Sequence, residues 1–143
     1  MWREKILQMK PDVELAAPIE GAELRNIQEA LSWRMPEVLH DLLLECDGLT
    51  AWSAEYVWSA RQILEMDGEF RSNQEFEHLY LPFDGLMFFG GNGGGDQFAF
   101  VDRGGRSDVF VWEHEDDSRR WIANDLEDFL NRALASGGSD WYL

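Results

Sequence analysis

A chain of 143 residues that is 45% hydrophobic and 13% aromatic can close one sizeable core, and its seven tryptophans argue against a disordered polymer. Its 28 acidic residues against 12 basic ones leave a net charge of −16, which argues against direct nucleic-acid or anionic-membrane binding, because phosphate contacts rely on a basic excess to release counterions. A basic partner suits such a chain better, although acidity also serves solubility alone.

No apolar run approaches the roughly 20 residues that span a bilayer, and Met1-Trp2-Arg3-Glu4-Lys5-Ile6 lacks the apolar region of a secretory signal. The expectation is a cytoplasmic protein of one domain, residues 1–143. The single cysteine, Cys46, cannot form an internal disulfide and fits a reducing compartment.

In chain order, Trp2 to Lys10 reads as a short amphipathic helix that Pro11 should end. Residues 12–21, with Pro18 inside, read as a surface connection. Leu24, Ile27 and Leu31 recur at helical spacing between Ala22 and Ser32. Pro36 suits a first helical position, and Val38, Leu39, Leu42, Leu43 and Cys46 then form one apolar stripe, stopped by Asp47-Gly48. Cys46 closes that stripe and reads as a small buried hydrophobe rather than a nucleophile. His40 lies off it, as a solvated surface residue.

A first strand is expected near residues 56–58. Ser59-Ala60-Arg61-Gln62 reads as a capping box opening a helix of about three turns, with Ile63, Leu64, Met66 and Phe70 on its apolar face and Gly68 weakening its far end. Leu79 to Asp84 should place an aromatic edge beside the next strand.

The chain is organised around Leu86 to Val101, where two aromatic strands flank five glycines between residues 90 and 95. The loop lacks the Gly-Lys-Ser/Thr ending of a nucleotide loop and the Gly-x-Gly-x-x-Gly spacing before a helix, and Asp96 would repel a phosphate. A bend that lets strands approach closely fits it better. Asp96, Asp102 and Asp108 do not match a calcium loop and read as strand ends. Residues 102–107 look like a hairpin connection returning through Val109 to Glu113. Apolar residues on both parities of these strands call for helices on at least one face.

Glu113-His114-Glu115-Asp116-Asp117 is the densest acidic run. Such residues on an exposed turn rarely converge on a metal, and no cofactor site is read anywhere. Flanked by Trp112 and Trp121, the run fits an interaction surface, or else a solvated loop. The final helix is expected to start at Asn124, with Glu127 completing a capping box and Leu126, Phe129, Leu130, Ala133 and Leu134 inward. The apolar tail Trp141-Tyr142-Leu143 either folds back or makes a dimer contact. No nucleophile elbow and no cysteine–histidine pair stands out, so the expectation is a binding protein and not an enzyme.

The glycine loop with its aspartate, and the landmarks Glu29, Met35-Pro36 and Asp47-Gly48, resemble the SMI1/KNR4 family of the SUKH superfamily over roughly residues 18–135. Met35 stands where leucine is usual, and Ser32-Trp33 replaces a glycine-containing link. The elements read above, in the order α-α-α-β-α-β-β-β-α, make an α+β fold with helices flanking an antiparallel sheet of about four or more strands, and the resemblance implies a fold of this kind. It also implies a bacterial immunity protein that binds and neutralises a toxin, often a nuclease. Basicity of such a toxin would suit an acidic inhibitor, whose association gains from electrostatic steering. The expected partner-binding residues are Glu113, Glu115, Asp116 and Asp117, then Asp96 and Trp112. Fungal relatives imply the alternative, a regulatory or scaffolding protein. A small-molecule sensor using Tyr80, Phe83 and the glycine loop is a third reading.

Overall fold

The computed structural model describes residues 1–72, 85–101 and 107–143. The expected aromatic edge at Leu79–Asp84, with Tyr80 and Phe83, and most of the expected 102–107 connection lie outside the described residues. The described elements are α1 (Trp2–Met9), β1 (Glu14–Leu15), α2 (Gly21–Ala30), α3 (Glu37–Glu45), β2 (Leu49–Ala51), β3 (Ala54–Val57), α4 (Ala60–Ser72), β4 (Leu86–Gly91), β5 (Gln97–Val101), β6 (Val109–Glu113), β7 (Ser118–Ala123) and α5 (Leu126–Leu134). They form an α+β fold with two antiparallel sheets, β1-β2-β3 and β4-β5-β6-β7.

The first three helices follow their apolar spacing. Each turns inward the residues its period selects: Ile6 in α1, Leu24 and Ile27 in α2, and Leu39, Leu42 and Leu43 in α3. Pro36 sits at the N-cap of α3 rather than inside its first turn, with an extended ψ of 142°. The helix ends at Cys46, before Gly48. Gly48 is needed for a different reason, since its φ is +106° and a Cβ there would lie 3.0 Å from the Val57 carbonyl oxygen. Burial of Cys46 pushes its thiol up to about 11, as befits a core residue.

Three strands were not expected. β1 lies inside the stretch read as a surface connection and pairs Glu14 with Thr50 and Leu15 with Leu49. β2 joins β3 through Trp52 and Ser53, both at positive φ (49° and 65°), the backbone of a tight primed hairpin turn. β7 occupies residues just past the acidic run, to which no element was assigned, and it exposes Arg120 and Trp121.

α4 begins as its cap predicts, with the Gln62 N–H donating to Ser59 Oγ at 3.2 Å. The cap of α5 is one residue later than expected: Asp125 accepts from the Asp128 N–H at 2.8 Å, and Asp128 reaches back to the Asn124 N–H at 2.9 Å. Asn124 and Glu127 are therefore not the capping pair. Two acids in this first turn suit the positive end of the helix dipole.

β4 is buried along its whole length. On one face Phe88 stacks on Phe70 of α4 with ring centroids 4.3 Å apart, and Trp112 meets Phe70 edge-on at 5.5 Å. On the other, Phe89, Phe98 and Phe100 pack with Phe129 of α5. Helices thus cover both faces. The two sheets meet where the Trp58 N–H donates to the Phe89 carbonyl at 2.8 Å. One residue on, a Cβ at Gly90 would lie 1.9 Å from the Tyr56 carbonyl oxygen. Gly90 and Gly91 therefore belong to the strand rather than the loop, and the glycine run does allow strands to approach.

A buried polar cluster ties the α2–α3 link to α4 and β4. Asp67, 7% exposed, accepts from the Ser32 N–H at 3.0 Å, from Ser32 Oγ at 2.7 Å and from Arg71 Nε at 2.8 Å. Arg71 also donates to the Leu86 carbonyl. Ser32 thereby makes the link rigid by side-chain bonding.

Candidate functional site

Four residues separate β6 from β7, and the turn they form contains most of the acidic run. Asp117 holds a positive φ of 60°, which aspartate tolerates better than most side chains. Glu113 and Ser118 face one another at the ladder's end, next to Trp112 and Arg119.

This register decides what the carboxylates do. Arg120 Nη2 donates to Glu113 Oε1 at 2.9 Å, and that bond raises the arginine's pKa. Arg119 Nη2 donates to Asp117 Oδ1 at 2.9 Å. The same Asp117 oxygen accepts from the Trp112 indole N–H at 2.7 Å. Trp112 is only 3% exposed, so it braces the turn from inside and does not flank it as a surface anchor. Trp121, three residues along β7, is 46% exposed. Glu115 and Asp116 are the acids of the run that face solvent. Bonding from Ser118 lowers the pKa of Asp116.

Asp96 belongs to a separate hub at the glycine loop. Asn92 Oδ1 accepts from the Gly94 and Asp96 N–H groups at 2.8 and 3.1 Å, which folds the loop on itself. The Asp96 carboxylate then bonds His114 Nδ1 at 2.8 Å through one oxygen and accepts from the Tyr142 hydroxyl at 2.9 Å through the other. Asn92 Nδ2 donates to the same hydroxyl at 2.9 Å. Burial, and then the bond to Asp96, drives the Tyr142 hydroxyl far above its ordinary pKa. The tail folds back: Arg120 Nη1 donates to the Tyr142 carbonyl at 3.0 Å, and Tyr142 is 7% exposed.

Of the six expected residues, Glu113, Glu115, Asp116, Asp117 and Trp112 thus share one turn and its bracing, and Asp96 touches that turn through His114. Sequence reasoning had no role for Tyr142, Arg119 and Arg120 in this arrangement. The two arginines were legible as the only cations near the run, whereas the tail carries no local signal for where it docks. Among the described residues no three His, Cys, Asp or Glu side chains gather as a metal group.

The paired antiparallel sheets, the glycine strand at their junction and the α3 landmarks define a protein of the SUKH class. The SMI1 / KNR4 family (SUKH-1) model matches residues 18–132, and the chain belongs to that family. No curated protein matches the chain. The family is generally non-catalytic, and membership supports a role of the immunity or SMI1/KNR4 type through protein–protein contact. No described helix is long and apolar enough to cross a membrane.

Proposed function

We propose that this protein is an immunity protein that binds a basic toxin domain, such as a nuclease, and blocks its action. The observation that carries the reading is the net charge of −16 on a chain of this family. Such a charge attracts a cationic partner at long range and accelerates encounter. The β6–β7 turn is the proposed contact: Glu115 and Asp116 present charge, while Glu113, Asp117, Asp96 and Trp112 hold the turn in shape. Trp121 offers exposed aromatic area of the kind that anchors interfaces.

The test is co-expression. The carboxy-terminal domain of any large reading frame found adjacent to this gene is expressed with and without the protein, and cell survival is scored. Killing by the domain alone and rescue by the protein is the expected result. A harmless neighbour, or death despite well-expressed protein, would overturn the reading and favour regulatory scaffolding with several weaker partners.

A further inference from the structure

Two adjoining recesses share the β3 residue Glu55. One, of about 350 Å³, is lined by Glu14, Asp47, Gly48, Glu55 and Gln62 among others. The second, of about 260 Å³, shares Glu55 and Gln62 with the first and runs on to Trp58, Met66, Gln97 and the glycine loop. These sizes suit side chains better than a large cofactor. Among the described residues no lysine or arginine lines either recess.

The charges here are in a different state from those of the turn. Among the described residues neither Glu14 nor Glu55 enters a salt bridge, and both are exposed. Asp47 accepts from the Ala60 N–H at 2.8 Å, and burial raises its pKa. A second observation is independent of charge. The side-chain oxygen of Gln97 is buried and makes no hydrogen bond among the described residues, while its nitrogen donates to the Gly95 carbonyl at 3.2 Å. A buried acceptor without a donor is costly, and the recess it lines also carries the Glu55 carboxylate, the Trp58 ring and the Met66 side chain.

We infer that this groove binds an arginine-bearing extended segment of a protein partner, with a guanidinium between Glu55 and Gln97 and a second cation toward Glu14 and Asp47. The guanidinium is a planar fork of five donors without an acceptor, which matches a carboxylate beside an unsatisfied amide oxygen. Its methylene stem can lie along Met66, and its plane against the Trp58 ring. The inference rests on the basic-partner reading but names a different contact from the acidic turn.

The probe is the peptide acetyl-Gly-Arg-Gly-Arg-Gly-amide, titrated into the full chain at low salt and followed by amide chemical shifts. The control peptide carries citrulline, the neutral isostere, at both arginine positions. Expected are shifts at Glu55, Gln62, Gly93, Gly95 and Gln97, no binding of the citrulline peptide, and an affinity on the order of tenfold weaker for Glu55→Gln. Glu55→Gln should unfold at the wild-type denaturant midpoint, which separates lost binding from lost structure. Shifts confined to residues 113–117, equal binding of citrulline, or an unchanged affinity in Glu55→Gln would overturn the groove. The titration needs no toxin, so rescue in cells with a silent titration sinks the groove alone. A positive titration without rescue supports the groove while removing the toxin as its partner.

Discussion

The β6–β7 turn and the groove over β3 are both acidic, but their carboxylates are used in opposite ways. In the turn, Glu113 and Asp117 are bonded to Arg120 and Arg119, and Asp117 also receives the Trp112 indole. In the groove, Glu14 and Glu55 enter no salt bridge among the described residues. The denser run in sequence therefore offers less free charge per carboxylate than the sparser pair on β1 and β3. Density along the chain measures composition; availability depends on what the fold places opposite each acid.

The sharpest way to break this comparison is at the junction that supports the groove. With a Cβ 1.9 Å from the Tyr56 carbonyl oxygen, Gly90→Ala must push β3 from β4. A loss of about 3 kcal/mol or more is expected by denaturant unfolding, or no folded protein at all. Gly94→Ala is the control, since its Cβ would find the Asn92 side chain at an ordinary 3.6 Å. If the two variants unfold alike, the close crossing of the sheets is wrong.

Next in size is the brace beneath the turn. Trp112→Ala removes a buried ring packed on Phe70 and Phe88 and should cost about 3–5 kcal/mol. Trp112→Phe keeps most of the ring area but leaves Asp117 without its indole donor, for about 1–2 kcal/mol. A Trp112→Phe variant as stable as wild type would show that the turn does not depend on that bond. Tyr142→Phe should fall in the same range, about 1–3 kcal/mol, because Asp96 loses one donor in a buried site. It should also broaden the amide signals of residues 92–96.

Acid titration separates bonded from free carboxylates by sign. Glu45 accepts from the amino-terminal ammonium and from the Trp2 and Arg3 N–H groups, which lower its pKa from 4.5 to about 2. A depressed carboxylate stabilises the fold above its unfolded pKa, and that contribution is lost as pH falls from about 4.5 toward 2. Glu45→Gln should lower stability near neutrality and flatten the profile in this window, converging on the wild type at the acid end. A profile of unchanged slope would mean that the ammonium contact does not persist in solution.

Much of this was readable beforehand where one residue's chemistry sufficed. Leu39, Leu42 and Leu43 give α3 by spacing, Ser59 caps α4, and the glycines 90 and 91 foretell strands in close approach. What stayed hidden depends on partners far along the chain. The β2–β3 hairpin turns on Trp52-Ser53, which carry no glycine or asparagine to announce positive φ. β1 is two residues long, too short for alternation to register. In β7 the consecutive arginines Arg119 and Arg120 break the apolar pattern, and the acids of the turn and the Tyr142 carbonyl explain their presence. Trp112 adjoins the acidic run in the sequence, which could not tell whether its ring faced Phe70 or solvent.

The smallest effect concerns the groove acids themselves. Double neutralisation by Glu14→Gln and Glu55→Gln removes no hydrogen bond or ion pair from the described residues, so stability should change by less than about 0.5 kcal/mol. The sign should nevertheless be positive at low salt. A chain of net charge −16 repels itself, and two fewer charges relieve that repulsion. Raising ionic strength should erase the gain, because exposed charges are screened beyond about 10 Å at 0.1 M salt. The same pair of substitutions at Glu113 and Asp117 should do the reverse and destabilise, since Arg120 and Arg119 would lose their acceptors. If both pairs moved stability in the same direction, the distinction between bonded and free carboxylates would fail, and with it the reason for seeking the partner's cation over β3.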